Sequence, residues 1–185
     1  MVNKFNTTKI SFCAAFAALT AVSAQIRFSI GLIPYTMQNF IVILSGLLLG
    51  PMCGMMAQLT YLSLIFFGLP LASGFKGGLG VLLGPTGGYL FGFPISSLLA
   101  GLFRQLWEKI SKNLLFLWIL VNLASLPIYI LGYTQLLMYG ANPNLLIVAV
   151  LVFVPQDFLM DHVLAIFAYK YICLLDTSDA ADDGE

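Results

Sequence analysis

The chain has 185 residues, 60% of them hydrophobic and 9% charged, with a mean hydropathy of +0.97. A soluble domain is roughly half apolar and a quarter charged, so this balance excludes a soluble globular protein and points to an integral membrane protein. The formal net charge of zero conceals an asymmetry, because five of the eight acids lie in the last ten residues and leave eight bases against three acids elsewhere.

A bilayer core about 30 Å thick takes about 20 apolar residues per helix. On that measure the sequence predicts an all-α integral membrane protein with six transmembrane helices, over residues 8–26, 37–50, 52–69, 84–104, 114–138 and 156–175. Residues 1–175 read as one transmembrane domain. Residues 176–185, DTSDAADDGE, change composition abruptly and read as a non-native or disordered appendage. With the N-terminus inside, Lys4, Lys9, Arg104, Lys109, Lys112 and Lys170 fall on the cytoplasmic side, and only Arg27 and Lys76 fall outside. That split predicts a multi-pass chain with both ends on the cytoplasmic side.

In the first span, Ala14 and Ala18 are four apart on one helix face, as are Ala17 and Ala21. Small residues at that spacing let another backbone approach, either within the chain or from a second membrane protein. The outer loop that follows, RFSIGLIPYTMQN, carries Gly31 and Pro34 as breakers and gathers hydrogen-bonding groups at Tyr35, Thr36, Gln38 and Asn39. Thr36, Gln38 and Asn39 would point polar groups into an outer mouth, although Thr36 could instead cap the second span. Spans two and three share only Gly50-Pro51 as a turn and form a tight helical hairpin.

Residues 74–93, GFKGGLGVLLGPTGGYLFGF, hold eight glycines in twenty positions. Such backbone cannot face lipid and is tolerated only where it is buried in protein or lines a cavity, so a pocket is expected here. Gly78 permits close backbone approach to a ligand. Gly84, Thr86 and Gly87 open the fourth span, where free N–H groups could receive an anionic or carbonyl group. Lys76 is the one full charge among these glycines, either snorkelling to the interface or touching a ligand. The chain contains no G-x-x-x-x-G-K-[ST] loop, hence no Walker-type ATP site, and nothing in it points to nucleic acid.

The inner loop FRQLWEKISKN is basic and amphipathic, suited to the bilayer surface or a cytoplasmic partner. Asn122 in span five must bond a neighbouring helix or a cavity. Residues 144–154, NLLIVAVLVFV, are too short to cross alone and end at Pro155. Asp157 and Asp161 then lie a turn apart, and an intramembrane carboxylate usually faces a cavity or pairs with a base. Asp157 could also cap its helix. His162 lacks the companions at i+3 or i+4 that a metal site on a helix needs and reads as a packed histidine, so no metal or cofactor is expected.

The runs IPYTMQ, GLLLGP, GFKGGLGVLLGPTGGYLFGF, IYILG and PQD, spread over residues 8–172, resemble the BioY family, the biotin-specific S components of energy-coupling factor (ECF) transporters. The resemblance implies a six-helix bundle in the cytoplasmic membrane of a prokaryote that binds biotin near its outer face. It also implies docking, through the Ala14 and Ala18 face, to a transmembrane coupling subunit with two cytoplasmic ATPase subunits. On it, Asp157 would accept from the ureido N–H groups, and Gln38, Asn39 or Asn122 would serve the ureido carbonyl. Tyr89 and the Gly77 to Gly88 backbone, with Gly78, Gly84, Thr86 and Gly87, would pack the rings, and Lys76 would face the carboxylate. The chain departs from the family's Pro-Gly-Asp-x-x-Lys at the last helix, having Gln156 after Pro155 and Met160 at the lysine position. Lys76 is then the best substitute cation and Arg27 the reserve. The alternatives are an S component for another vitamin such as thiamine or riboflavin, or an intramembrane enzyme using Asp157, Asp161 and His162.

Overall fold

The computed structural model describes residues 7–30, 33–142, 144 and 154–182, apart from the side chains of residues 28–34 and 175–182. Helix α1 (Thr7–Ser23) leads into strands β1 (Arg27–Ile30) and β2 (Ile33–Thr36), then α2 (Gln38–Leu49), α3 (Pro51–Phe66) and a one-turn helix α4 (Leu79–Leu82). Helices α5 (Gly87–Ile110) and α6 (Leu114–Met138) follow, and a π-turn over Asp157–Asp161 opens α7 (His162–Asp182). The helical segments fall on the six apolar runs read from the sequence. Residues 145–153, most of the short apolar run before Pro155, lie outside the described residues.

The structure is not purely helical. RFSI and IPYT pair antiparallel from Arg27↔Thr36 to Ile30↔Ile33, where the sequence suggested only an irregular loop. Their β-branched and aromatic residues suit a strand. Pro34, opposite Ser29, is tolerated because each strand of a two-stranded sheet has an open edge. Helix α7 also runs into the acidic stretch as far as Asp182. Among the described residues, α6 alone is long and apolar enough to cross a bilayer by itself, while α1, α2 and α3 are apolar but shorter. Length and hydropathy therefore mark one span where the sequence reading expected six.

Packing explains several of the glycines. Helix α5 lies along α6, with α2 and α3 on its other side and α1 against α2 and α3. A Cβ on Gly92 would sit 2.5 Å from Ile128 Cα, and one on Gly88 would collide with the Leu131 carbonyl. The two backbones touch without a side-chain cushion, which is the close approach that small residues permit in membrane bundles. At Gly88 and Gly92 the glycine-rich stretch therefore serves helix contact.

Polar groups are turned inward. Gln58 Nε2 donates to Thr20 Oγ1 at 3.3 Å and to Ser45 Oγ at 3.1 Å, and Ser45 Oγ pairs with Ser97 Oγ at 2.8 Å. These four side chains, from α1, α3, α2 and α5, are completely buried. Outside, Leu115, Ile119, Leu126 and Ile130 of α6 and Phe91, Ile95 and Leu102 of α5 are exposed. An apolar exterior around a polar interior inverts the pattern of a water-soluble protein. On α1, Ala17 and Ala21 are buried, whereas Ala14 and Ala18 are exposed.

Candidate functional site

A cavity of about 560 Å³ opens between the hairpin, the start of α2, the segment before α5 and the facing sides of α5 and α6. The hairpin contributes Arg27, Tyr35 and Thr36, and α2 contributes Gln38 and Asn39. Lys76, Pro85 and Thr86 come from the segment after α3, and Tyr89 and Phe93 from α5. Tyr129 and Tyr133 face them from α6, and Asp157 completes the wall. Its volume lies within the usual range of small-molecule sites, roughly 300–1,000 Å³.

The acidic group is held on one side only. Asp157 is 2% exposed, and its Oδ2 accepts from Asn39 Nδ2 at 2.7 Å and from the Tyr129 hydroxyl at 2.5 Å. Its Oδ1 has no hydrogen-bond partner among the described residues. Leaving a buried acceptor unmet costs about 1–3 kcal/mol, more for a charged group. Helix capping does not account for Asp157, whose side chain is committed to α2 and α6. Thr36 does not cap α2 either, since the cap residue is Met37 and Thr36 Oγ1 donates to Gln38 Oε1 at 3.0 Å.

Behind Asp157, Asp161 Oδ1 accepts from the Tyr35 hydroxyl at 2.6 Å. Burial pushes the Tyr35 phenol above its usual range, and the neighbouring Asp161 and Asp157 carboxylates act in the same sense, so it stays a donor. Asp161 and His162 are completely buried and do not line the cavity. Of the three groups that an intramembrane enzyme would have used, only Asp157 lines the cavity.

The aromatic wall is built from α5 and α6. Tyr89 meets Tyr133 edge-on, with ring centroids 5.9 Å apart, and Tyr133 stacks along Tyr129 at 6.3 Å. Two cations complete the lining, Arg27 and Lys76, and neither forms an ion pair among the described residues. Gly74, at φ +74°, makes room for the first, because a Cβ there would stand 2.7 Å from the Arg27 guanidinium.

Of the residues singled out from the sequence, Thr36, Gln38, Asn39, Lys76, Thr86, Tyr89 and Asp157 line this one cavity. Gly78, Gly84 and Gly87 are not among its lining residues. Gly87 lies against the Leu82 carbonyl, and the turn around Gly84 is fastened by Gln135, whose Nε2 donates to the Leu82 and Gly84 carbonyls. Asn122 is also absent from the lining and sits within the bundle, its Oδ1 2.9 Å from His162 Nδ1. Met160, at the position of the family's lysine, is exposed and outside the cavity. Sequence reasoning noted Tyr35 only as a hydrogen-bonding group of the outer loop, and it missed Tyr129 and Tyr133. The available signal was Tyr129 and Tyr133, two polar aromatics one helical turn apart inside an otherwise apolar run.

A polar, aromatic-walled cavity inside a bundle with an apolar exterior defines a membrane-embedded protein that binds a small molecule. Residues 1–175 match the family model described as the BioY family, and the chain belongs to that family. The match stops where the acidic stretch begins. The chain is 42% identical over 149 residues to a probable biotin transporter BioY of Pyrococcus horikoshii, covering 80% of this chain and 86% of that one. It is 43% identical over 126 residues to a biotin transporter BioY of Thermotoga maritima, covering 67% and 71%. The fold is similar to the crystal structure of the S-component for biotin from an ECF-type ABC transporter. The TM-score is 0.80 at 26% identity, covering 93% of this chain and 94% of that one.

Proposed function

We propose that this chain binds biotin in the cavity and takes it up as the substrate-specific subunit of an ECF transporter, a transporter component and not an enzyme. The observation that carries the site assignment is the buried, cavity-lining Asp157 with its unmet Oδ1. Biotin offers what that atom needs: a ureido group with two N–H donors and one carbonyl, an apolar bicycle, and a valerate carboxylate.

Asp157 Oδ1 accepts from a ureido N–H while Asn39 and Tyr129 hold Oδ2. The Asn39 and Gln38 amides lie beside it to serve the ureido carbonyl. Tyr89, Tyr129 and Tyr133 flank the bicycle, and Arg27 and Lys76 attract the carboxylate in place of the lysine that Met160 replaces.

The helical segments form six spans with both ends inside, a reading supported by the distribution of Lys and Arg. With no Walker-type loop in this sequence, energy comes from two cytoplasmic ATPase subunits through a transmembrane coupling subunit. The exposed Ala14 and Ala18 suit a close helix–helix contact with that partner.

Thermal-shift and calorimetric titration of the purified chain with biotin, thiamine and riboflavin separates the substrate readings. Biotin alone is expected to stabilise the protein and to saturate one site. Stabilisation by thiamine or riboflavin without biotin would overturn the assignment.

A further inference from the structure

The carboxylate that points into the cavity is carried on an irregular stretch of helix, and the irregularity has an identifiable fastening. In an uninterrupted α-helix each N–H bonds the carbonyl four residues back. At Asp157–Asp161 the helix widens to a π-turn, and the His162 N–H reaches the Asp157 carbonyl instead of that of Phe158. Isolated π-turns of this kind are concentrated at functional sites. The Phe158 carbonyl, deprived of its α-helical donor, receives the indole N–H of Trp118 on α6 at 2.9 Å.

One turn further along α6, Asn122 Oδ1 lies 2.9 Å from His162 Nδ1, the residue that closes the π-turn. The His162 ring packs on Phe158 with centroids 5.4 Å apart. Higher on the same helix, Tyr129 bonds Asp157 itself. Three side chains of α6 thus grip successive parts of the irregular turn. If that turn tightened to regular α-helix, everything before it would rotate by about 100° relative to α7, and Asp157 would leave the cavity wall.

We infer that Trp118 is a positioning residue for ligand binding: by bonding the Phe158 carbonyl it holds the π-turn in the register that presents Asp157 to the ligand. Trp118 is not among the cavity-lining residues and acts through the backbone. The inference rests on the reading of Asp157 as the acceptor for biotin.

A double-mutant cycle on the full chain tests it, with biotin affinity and off-rate as readouts and a thermal melt on each protein. Trp118→Phe keeps an aromatic side chain and removes the donor. It is expected to weaken biotin binding about ten-fold, the usual scale for one lost hydrogen bond to a buried acceptor. In an Asp157→Asn background the same change should cost less than about two-fold, because the two residues act as one unit. Trp118→His, which restores a ring N–H, should recover part of the affinity. Unchanged affinity in Trp118→Phe, or an equal loss in both backgrounds, overturns the inference while leaving the Asp157 reading intact. Loss of fold in both Trp118 variants also overturns it, since Trp118 would then hold the bundle rather than aim the carboxylate. An Asp157→Asn protein that binds biotin like the unaltered chain overturns both readings.

Discussion

The hydroxyl of Tyr35, on the second strand of the hairpin, donates to Asp161 at 2.6 Å across 126 positions of sequence. This bond ties the hairpin above the cavity to the helix that carries Asp157. Tyr35→Phe keeps the ring in the wall and removes the tie. Biotin dissociation should quicken by about five- to ten-fold, as expected for one hydrogen bond, with little change in the association rate. Stopped-flow or surface-based release measurements decide it, and an unaltered off-rate would separate the hairpin from ligand retention.

If Asp157 accepts from a ureido N–H, Asp157→Ala strands that donor in a buried site. A loss of roughly 2–4 kcal/mol in biotin affinity is expected, about 30- to 1,000-fold. Calorimetry on the purified chain measures it directly. Full affinity in this variant would take Asp157 out of the binding site.

Arg27 and Lys76 line the same cavity, and among the described residues neither forms an ion pair. If they read the valerate carboxylate, Arg27→Gln and Lys76→Gln should each weaken biotin binding several-fold at low ionic strength while leaving biotin methyl ester unaffected. Both side chains are more than a third exposed, so raised salt should shrink the difference. Equal losses for acid and ester would mean that the two cations do not read the carboxylate.

Gly92→Ala places a methyl group 2.5 Å from the Ile128 backbone, where no flexible side chain can move aside. Overpacking of that kind costs typically 1–3 kcal/mol, so the melting temperature should fall clearly. Gly80→Ala, with nothing within 4 Å of the new atom, serves as the control and should melt like the unaltered chain. Identical melts for the two variants would contradict the close approach of α5 and α6.

Ala14→Leu and Ala18→Leu enlarge side chains that already face outward on α1. Co-purification with the coupling subunit should decline in both, while biotin binding by the isolated chain stays intact. Undiminished assembly would place the docking surface elsewhere.

The long helices were legible in the sequence as apolar runs broken by loops, although among the described residues length and hydropathy qualify α6 alone to cross a bilayer. Asp157 was legible for a related reason, since a carboxylate at that depth has few tolerable surroundings. The glycines are ambiguous when read from sequence. Composition says that backbone comes close to something, and at Gly88 and Gly92 the something is α6 rather than a ligand. Asn122 was ambiguous in the same way, because an intramembrane amide needs a partner and the sequence does not say whether that partner is His162 or a cavity. The hairpin escaped notice because RFSI and IPYT are too short and too uniformly apolar to show a period of two. The π-turn left no local signature, and the donor that meets its Phe158 carbonyl is Trp118, 40 residues away.

Among acyl chains one greasy helix face is as comfortable as the next, so apolar matching alone leaves neighbouring helices free to spin and slide against each other. The amide of Gln58 removes that freedom by engaging Thr20 and Ser45, with Ser97 next in line. Four helices acquire a single shared rotational setting, and the ligand chamber inherits its outline from a chain of bonds that it never touches.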